Sequence, residues 1–424
     1  MKTAVLGKGK TGSAVVQYLA CHRIAYDIFD RIDPDERIET PPHYDIAVVS
    51  PGWVKEHNLI KALQKSGVPI VSEIEFASAK IKKPIIAVSG TNGKTTCCNL
   101  ISRILDANGL RAPVAGNIGI PLISYVDSQN DYDLIVCEIS SFQMEFTERF
   151  KPKVSVLLNI AEDHLDRHDS FDEYRSLKLK MVKNQDENDF FITSLDKKIE
   201  ADFDIVANTL YFSLNKPADV YKIGNRIKMN KLEIATDRLK LAGNHNIENI
   251  MAALLTSSLF AKLNKKKTEA ALEDFATLEH RLEYVDSVDE VDFVNDSKAT
   301  NVAAVKSALA SFKDKGGKVV LLLGGRYKGG DFSTIFSDID MIRAIVAFGE
   351  ARNTIRAQLQ SNRLYVVPAI NLKGAVYGGF NFAAKGDTVL LSPGCSSFDE
   401  FENYKIRGKR FKEIVSEIKR DYDY

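Results

Sequence analysis

Ser89-Gly90-Thr91-Asn92-Gly93-Lys94-Thr95-Thr96 follows the apolar run Pro84-Ile85-Ile86-Ala87-Val88 and opens a helical pattern. Strand, glycine-bearing loop and helix in that order make a phosphate loop. Its backbone N–H groups surround phosphate oxygens, Lys94 reaches the terminal phosphates, and the Thr95 hydroxyl is placed to hold magnesium. The first glycine of the usual eight-residue pattern would fall at Val88, so this is a shortened variant. The competing reading, a glycine-rich turn with a solvated lysine, does not account for the strand before it and the helix after it.

Working outward, β-branched runs recur at residues 3–7, 46–50, 85–90, 134–137, 154–160, 319–324, 345–349 and 389–392, each leading into a helical pattern. Continuous apolar strands alternating with helices predict an α/β protein with parallel sheets covered on both faces. In such sheets ligands sit just beyond the strand ends. Two breaks divide the chain: Lys80-Ile81-Lys82-Lys83-Pro84, and residues 277–281 after the charged Lys265-Lys266-Lys267 helix. Three domains are expected, over residues 1–83, 84–277 and 278–424. The first and last are Rossmann-like, the middle one is a parallel sheet of the P-loop ATPase type, and residues 187–240 form short strands and turns late in it.

The 424 residues carry 57 Lys plus Arg and 57 Asp plus Glu, so no net field draws the protein to nucleic acid or anionic lipid. Any anion must meet a local site. With 45% hydrophobic and 27% charged residues, a folded globular chain is expected rather than a disordered or fibrous one. No apolar run approaches the roughly 18 residues of a membrane span, and the start enters a strand pattern without a leader, so a cytoplasmic protein is expected. Cys21, Cys97, Cys98, Cys137 and Cys395 lack paired spacing and read as reduced thiols.

The remaining motifs all lie after strands. Gly7-Lys8-Gly9-Lys10-Thr11-Gly12, with Asp30 at the end of the next strand, fits a nucleotide diphosphate at a helix start. Taken alone, it also fits a nicotinamide enzyme, which would leave the phosphate loop unexplained. Glu138 closes one further strand and His164 follows another, and together they suit a hard divalent ion near the phosphates. Asn246 and Asn249, three apart, share a helix face and suit a base or ribose. Asn295-Asp296-Ser297-Lys298-Ala299-Thr300-Asn301 precedes a helix, and residues 323–330 and 391–397 add two flexible loops. Those three segments look like a pocket for a small charged molecule.

Taken together, the phosphate loop, Gly116-Asn117-Ile118-Gly119, residues 138–143, 159–167, 174–178 and 243–249, His280-Arg281, and residues 295–301, 324–332 and 391–408 resemble the Mur ligases over nearly the whole chain. The loop, Glu138 and His164 are common to that family and to folylpolyglutamate synthase. Residues 295–301 and the glycine-rich start point to the members that add D-glutamate. The resemblance implies ATP-dependent joining of D-glutamate to UDP-N-acetylmuramoyl-L-alanine through an acyl phosphate, in peptidoglycan precursor synthesis. The alternative is another amino-acid ligase of the Mur or folylpolyglutamate type.

The same resemblance assigns residues. Gly90, Thr91, Asn92, Gly93, Lys94, Thr95, Thr96, Asn246, Asn249, Arg281 and Asp296 would bind ATP. Thr95, Glu138, His164 and Lys178, the last as a carbamate, would hold two magnesium ions, and Lys94, Glu138, His164 and Lys178 would be catalytic. Asn117 and His164 would face the muramoyl substrate. Lys298, Thr300, Lys328, Ser397 and Tyr404 would form the D-glutamate pocket, with Tyr404 standing where the family pattern has Phe. For the uridine nucleotide, no Thr-Arg pair follows Asp30. Lys10, Thr11, Arg31 and the turn Ser50-Pro51-Gly52 are the candidates. A monomer without nucleic-acid partners is expected.

Overall fold

The computed structural model describes residues 1–30, 43–164, 167–197, 199, 203–241, 243–275, 279–312, 316–359 and 364–422. Among them three sheets carry the chain. The first comprises β1 (Lys2–Leu6), β2 (Ala25–Phe29), β3 (Ile46–Val49) and β4 (Ile70–Ser72), all parallel, in the order β2-β1-β3-β4. Its helices are α1 (Lys10–Cys21), α2 (Asn58–Lys65) and α3 (Glu73–Ser78). In α1 the helical spacing of Gly12, Val15 and Leu19 buries one face.

The second sheet has nine strands: β5 (Ile85–Ser89), β6 (Val114–Gly116), β7 (Ile135–Glu138), β8 (Val154–Leu157), β9 (Phe190–Ser194), β10 (Asn208–Ser213), β11 (Val220–Ile223), β12 (Arg226–Met229) and β13 (Leu232–Ala235). The order is β13-β12-β11-β10-β9-β8-β5-β7-β6. Only its far end departs from parallel pairing, where the β11, β12 and β13 meander is antiparallel. Strands β9 to β13 thus extend the phosphate-loop sheet itself. With this sheet go α4 (Lys94–Ala107), α5 (Ser141–Met144), α6 (Phe171–Leu179), α7 (Asn244–Ser258) and α8 (Lys265–Glu273).

The third sheet joins β14 (Glu283–Val288), β15 (Val291–Asn295), β16 (Val319–Gly324), β17 (Ile342–Phe348), β18 (Val366–Pro368) and β19 (Thr388–Gly394) in the order β14-β15-β19-β16-β17-β18. All pairs are parallel except the β14–β15 hairpin. Helices α9 (Val302–Ala310), α10 (Arg352–Leu359), α11 (Leu372–Phe382) and α12 (Tyr404–Tyr422) complete it. Leu321, Leu323, Ile345 and Leu390 face one apolar cluster, while Val320, Leu322, Val346 and Leu391 face another. This period-two split makes the strands apolar throughout and covers the sheet on both faces.

Two compact units result: Met1–Ile160 with Asp172–Leu239 and Asn246–Phe275, and Ala161–Phe171 with Lys240–His245 and Ala276–Tyr424. The first unit holds two sheets because polar ties join them. Glu75 accepts the backbone N–H groups of Glu148, Arg149 and Phe150, and Ser72 bonds Thr147 at 2.6 Å. Glu73 accepts from Ile123 N at 2.6 Å. The change from first to second sheet falls between Ser78 and Ile85, while the boundary expected at 277 lies outside the described residues. No helix among the described residues is long and apolar enough to cross a membrane.

Candidate functional site

The phosphate loop runs from the end of β5 to α4, and two glycines make its path. Gly90 has φ +146° and Gly93 φ +86°, both in the region that side chains disfavour. A β-carbon on Gly93 would also lie 2.3 Å from Asn249 Oδ1. The Asn249 amide of α7 is therefore packed against the loop, and it donates to Asn246 Oδ1 at 3.4 Å. Asn159, just past β8, pins the loop from the other side. Its side chain accepts from Asn92 N at 2.8 Å and donates to Asn92 O at 3.0 Å, and its carbonyl accepts from Thr91 N at 3.0 Å.

Lys94 Nζ folds back onto Gly90 O and Thr91 O, at 2.7 and 2.9 Å. Lys178 Nζ, on α6 and buried, donates to that same Gly90 oxygen at 2.9 Å, with the Tyr174 ring 4.6 Å away. Two ammonium groups on one carbonyl oxygen repel, and burial strengthens the repulsion. Conversion of Lys178 to a carbamate reverses the sign of one partner, so the residues fit that modification. On the far side of Lys94, Thr95 Oγ1 donates to Glu138 Oε2 at 2.8 Å. A hydroxyl and a buried carboxylate side by side at a phosphate loop are the oxygen donors magnesium requires.

A continuous polar path leads from there to the first sheet. Glu138 Oε1 accepts from Asn117 Nδ2 at 2.8 Å, and Asn117 N donates to Glu138 O at 2.9 Å. Gly116, at φ +95°, permits this approach, since a β-carbon there would meet Glu138 O at 2.4 Å. Two residues beyond Asn117, Gly119 O accepts from Lys10 Nζ at the start of α1. Thr11 follows in that first turn, beside the Gly7 loop, and Ser50-Pro51-Gly52 closes β3 next to it. Arg31 lies outside the described residues.

In the second unit, the loops after the neighbouring strands β15, β19 and β16 converge. Lys298 Nζ stands 4.0 Å over the Tyr404 ring, Thr300 leads into α9, and Ser397 is buried. Lys328 Nζ meets Asp163 Oδ1 at 2.7 Å and His164 Nδ1 at 3.5 Å. Asn301 Nδ2 donates to Asp163 Oδ2 at 2.9 Å. Burial pushes the Asp163 carboxyl up, but the Lys328 ammonium, His164 and these hydrogen bonds outweigh it and hold it at about 2. His164 has φ +57°, and its N–H is held by Asp163 Oδ1 at 2.9 Å. Asp296 is buried, which pushes its carboxyl up to about 7 against the pull of Ser392, Arg281 and the Leu282 N–H.

Sequence reasoning gave no role to Arg407, Asp163 or Asn159. Arg407 is fully buried on α12, where burial lowers its guanidinium to about 10. It donates to Ser297 O at 2.9 Å, to Cys395 O and Ser396 O at 3.2 Å, and to Gly324 O at 3.4 Å. One side chain thereby holds all three loops. Its neighbours Lys405, Lys409 and Arg410 make α12 read as a solvated basic face, which hides it. Asp163 and Asn159 lie within a motif already singled out, but their partners are remote in sequence.

Three α/β sheets with a phosphate loop on the central one define a nucleotide-binding enzyme of the P-loop kind. Known families agree: the Mur ligase middle domain matches residues 88–257, and the Mur ligase glutamate ligase domain matches residues 280–395. The UDP-N-acetylmuramoylalanine--D-glutamate ligase of Syntrophus aciditrophicus is 36% identical over 97% of this chain and 96% of its own. Among solved structures, a pseudomurein peptide ligase type C from Methanothermus fervidus superposes with a TM-score of 0.66 at 18% identity, over 99% of this chain and 100% of that one. MurF ligase from Thermotoga maritima, in complex with ADP, gives 0.62 at 16%, over 98% and 95%. The chain belongs to the Mur ligase family.

Proposed function

We propose that this chain joins D-glutamate to UDP-N-acetylmuramoyl-L-alanine with hydrolysis of ATP to ADP and phosphate, as a step of peptidoglycan precursor synthesis. The amino acid follows from relatives of that name matching nearly end to end. The observation that carries the chemistry is the unbroken path Lys10, Gly119, Asn117, Glu138, Thr95, which links a nucleotide crevice to a phosphate loop. A carrier held by its diphosphate in the first sheet presents its far carboxylate beside the loop.

A carboxylate is a poor electrophile, so its oxygen first takes the terminal phosphoryl group of ATP. Lys94, released from Gly90 and Thr91, offsets the charge on the transferring group, and the loop N–H groups hold it in line. Asn246 and Asn249 bracket the base and sugar, with Arg281 and Asp296 as the further nucleotide contacts. Thr95 and Glu138, with His164 and a carbamylated Lys178, would hold two magnesium ions, which supply Lewis-acid neutralisation of phosphate charge. Lys298, Thr300, Lys328, Ser397 and Tyr404 bind D-glutamate through two cations and short polar groups. Its neutral amine attacks the acyl phosphate, the tetrahedral adduct expels phosphate, and the amine proton leaves to solvent.

The division into substrate, ATP and amino-acid domains at about 83 and 277 belongs to this proposal, as do a cytoplasmic location and a monomer. Lys94→Ala tests it: turnover is lost while UDP-N-acetylmuramoyl-L-alanine still binds. Full turnover in that variant contradicts the assignment of the loop.

A further inference from the structure

The sequence contains one tryptophan, Trp53, and no role described above uses it. The order β2-β1-β3-β4 reverses direction between β1 and β3, so the crevice of the first sheet opens there, between the loop after β1 and the loop after β3. Gly7 lies in the first loop and Trp53 in the second. They lie close together: a β-carbon on Gly7, which has φ +108°, would come 3.3 Å from the indole nitrogen and 2.8 Å from Ser50 Oγ.

The indole is fixed from behind. Trp53 N donates to Ser50 O at 3.1 Å, the ring packs against the apolar cluster of Leu6, Val49 and Leu59, and the His57 ring meets it at a tilt of 53°, 4.5 Å between centroids. His57 is itself immobilised as the N-cap of α2, accepting from Leu59 N. Trp53 nevertheless remains only partly buried. A rigid, half-covered aromatic face beside a diphosphate-binding loop suits the flat pyrimidine of a uridine nucleotide, because a base stacks on it at little cost in conformational entropy.

We infer that Trp53 forms the aromatic wall of the nucleotide end of this crevice and stacks on the base of the uridine-diphosphate carrier, an inference that rests on the function proposed above. The protein reports on it directly, since emission excited beyond tyrosine absorption comes from this residue alone. Titration of the full chain with UDP, and with UDP-N-acetylmuramoyl-L-alanine, produces a saturable change in emission, and D-glutamate produces none. Trp53→Ala raises KM for the UDP substrate roughly ten- to a hundredfold, the range expected for one stacked base. KM for D-glutamate stays within about twofold and Trp53→Phe recovers most of the loss, as a ring-to-ring exchange should.

Unchanged emission at concentrations that saturate turnover overturns the inference. So does an unchanged KM for the UDP substrate in Trp53→Ala, or an equal rise in KM for all three substrates, which marks a purely structural residue. Should Trp53→Ala fail to fold, the wild-type titration and Trp53→Phe decide. Failure of the proposed function shows separately, as wild-type protein that releases no phosphate with D-glutamate.

Discussion

Replacing Arg407 by lysine keeps a positive charge on α12 and removes the planar fork. The guanidinium reaches Ser297 Oγ and the carbonyl oxygens of Ser297, Gly324, Cys395 and Ser396, from a position with no solvent exposure. An ammonium has three donors at one point and cannot span loops from three strands. At least two buried acceptors then lose their donor, at about 1–3 kcal/mol each, so the second unit loses about 2–6 kcal/mol. The same loops carry Lys298, Lys328 and Ser397. Denaturant unfolding of Arg407→Lys should therefore show a lower midpoint, and steady-state kinetics a KM for D-glutamate raised about tenfold or more. KM for the UDP substrate, which the proposed function places in the first unit, stays within about twofold. Stability within about 0.5 kcal/mol of wild type together with an unchanged KM for D-glutamate would refute the idea that one buried arginine sets the pocket.

Three further outcomes are expected. Burial raises the Glu73 carboxyl to about 7, with the backbone N–H groups of Ile123 and Leu122 opposing. A carboxyl raised in the folded state contributes fully below its ordinary range and loses that contribution as pH rises through about 7, here about 3 kcal/mol between pH ~5 and ~9. Glu73→Gln flattens this decline in denaturation curves, whereas parallel pH profiles for the two proteins exclude it. Gly93→Ala places a methyl group against Asn249 at a positive φ, so ATP turnover should fall by more than about tenfold while UDP-substrate binding persists; wild-type KM for ATP would contradict the contact. Lys178→Ala should lose activity and regain part of it with an added short-chain carboxylic acid, and no recovery speaks against a carbamate.

Elements whose signal is local were legible in the sequence. The phosphate loop, the apolar strands ending in loops and the shared face of Asn246 and Asn249 each follow from a few adjacent residues. The structure brings Lys94, Thr95, Glu138, Asn117, Lys178 and Asn249 together in the first unit, and it sets His164 in the second, beside Lys328 and Asp163. What sequence could not give is long-range polar pairing. Arg407 is separated from Ser297 by 110 residues, and Lys328 from Asp163 by 165. Neither residue differs locally from a solvated surface charge. Short strands late in the middle domain were legible, but the antiparallel pairing of β11, β12 and β13 was not, because short strands with turn residues do not announce how they pair.

The central claim is the amino acid joined, and phosphate release from ATP with UDP-N-acetylmuramoyl-L-alanine tests it most directly. D-glutamate, L-glutamate, L-alanine and diaminopimelate are compared at matched concentrations. Turnover with D-glutamate alone is the predicted result; turnover with one of the other three and not with D-glutamate would contradict it.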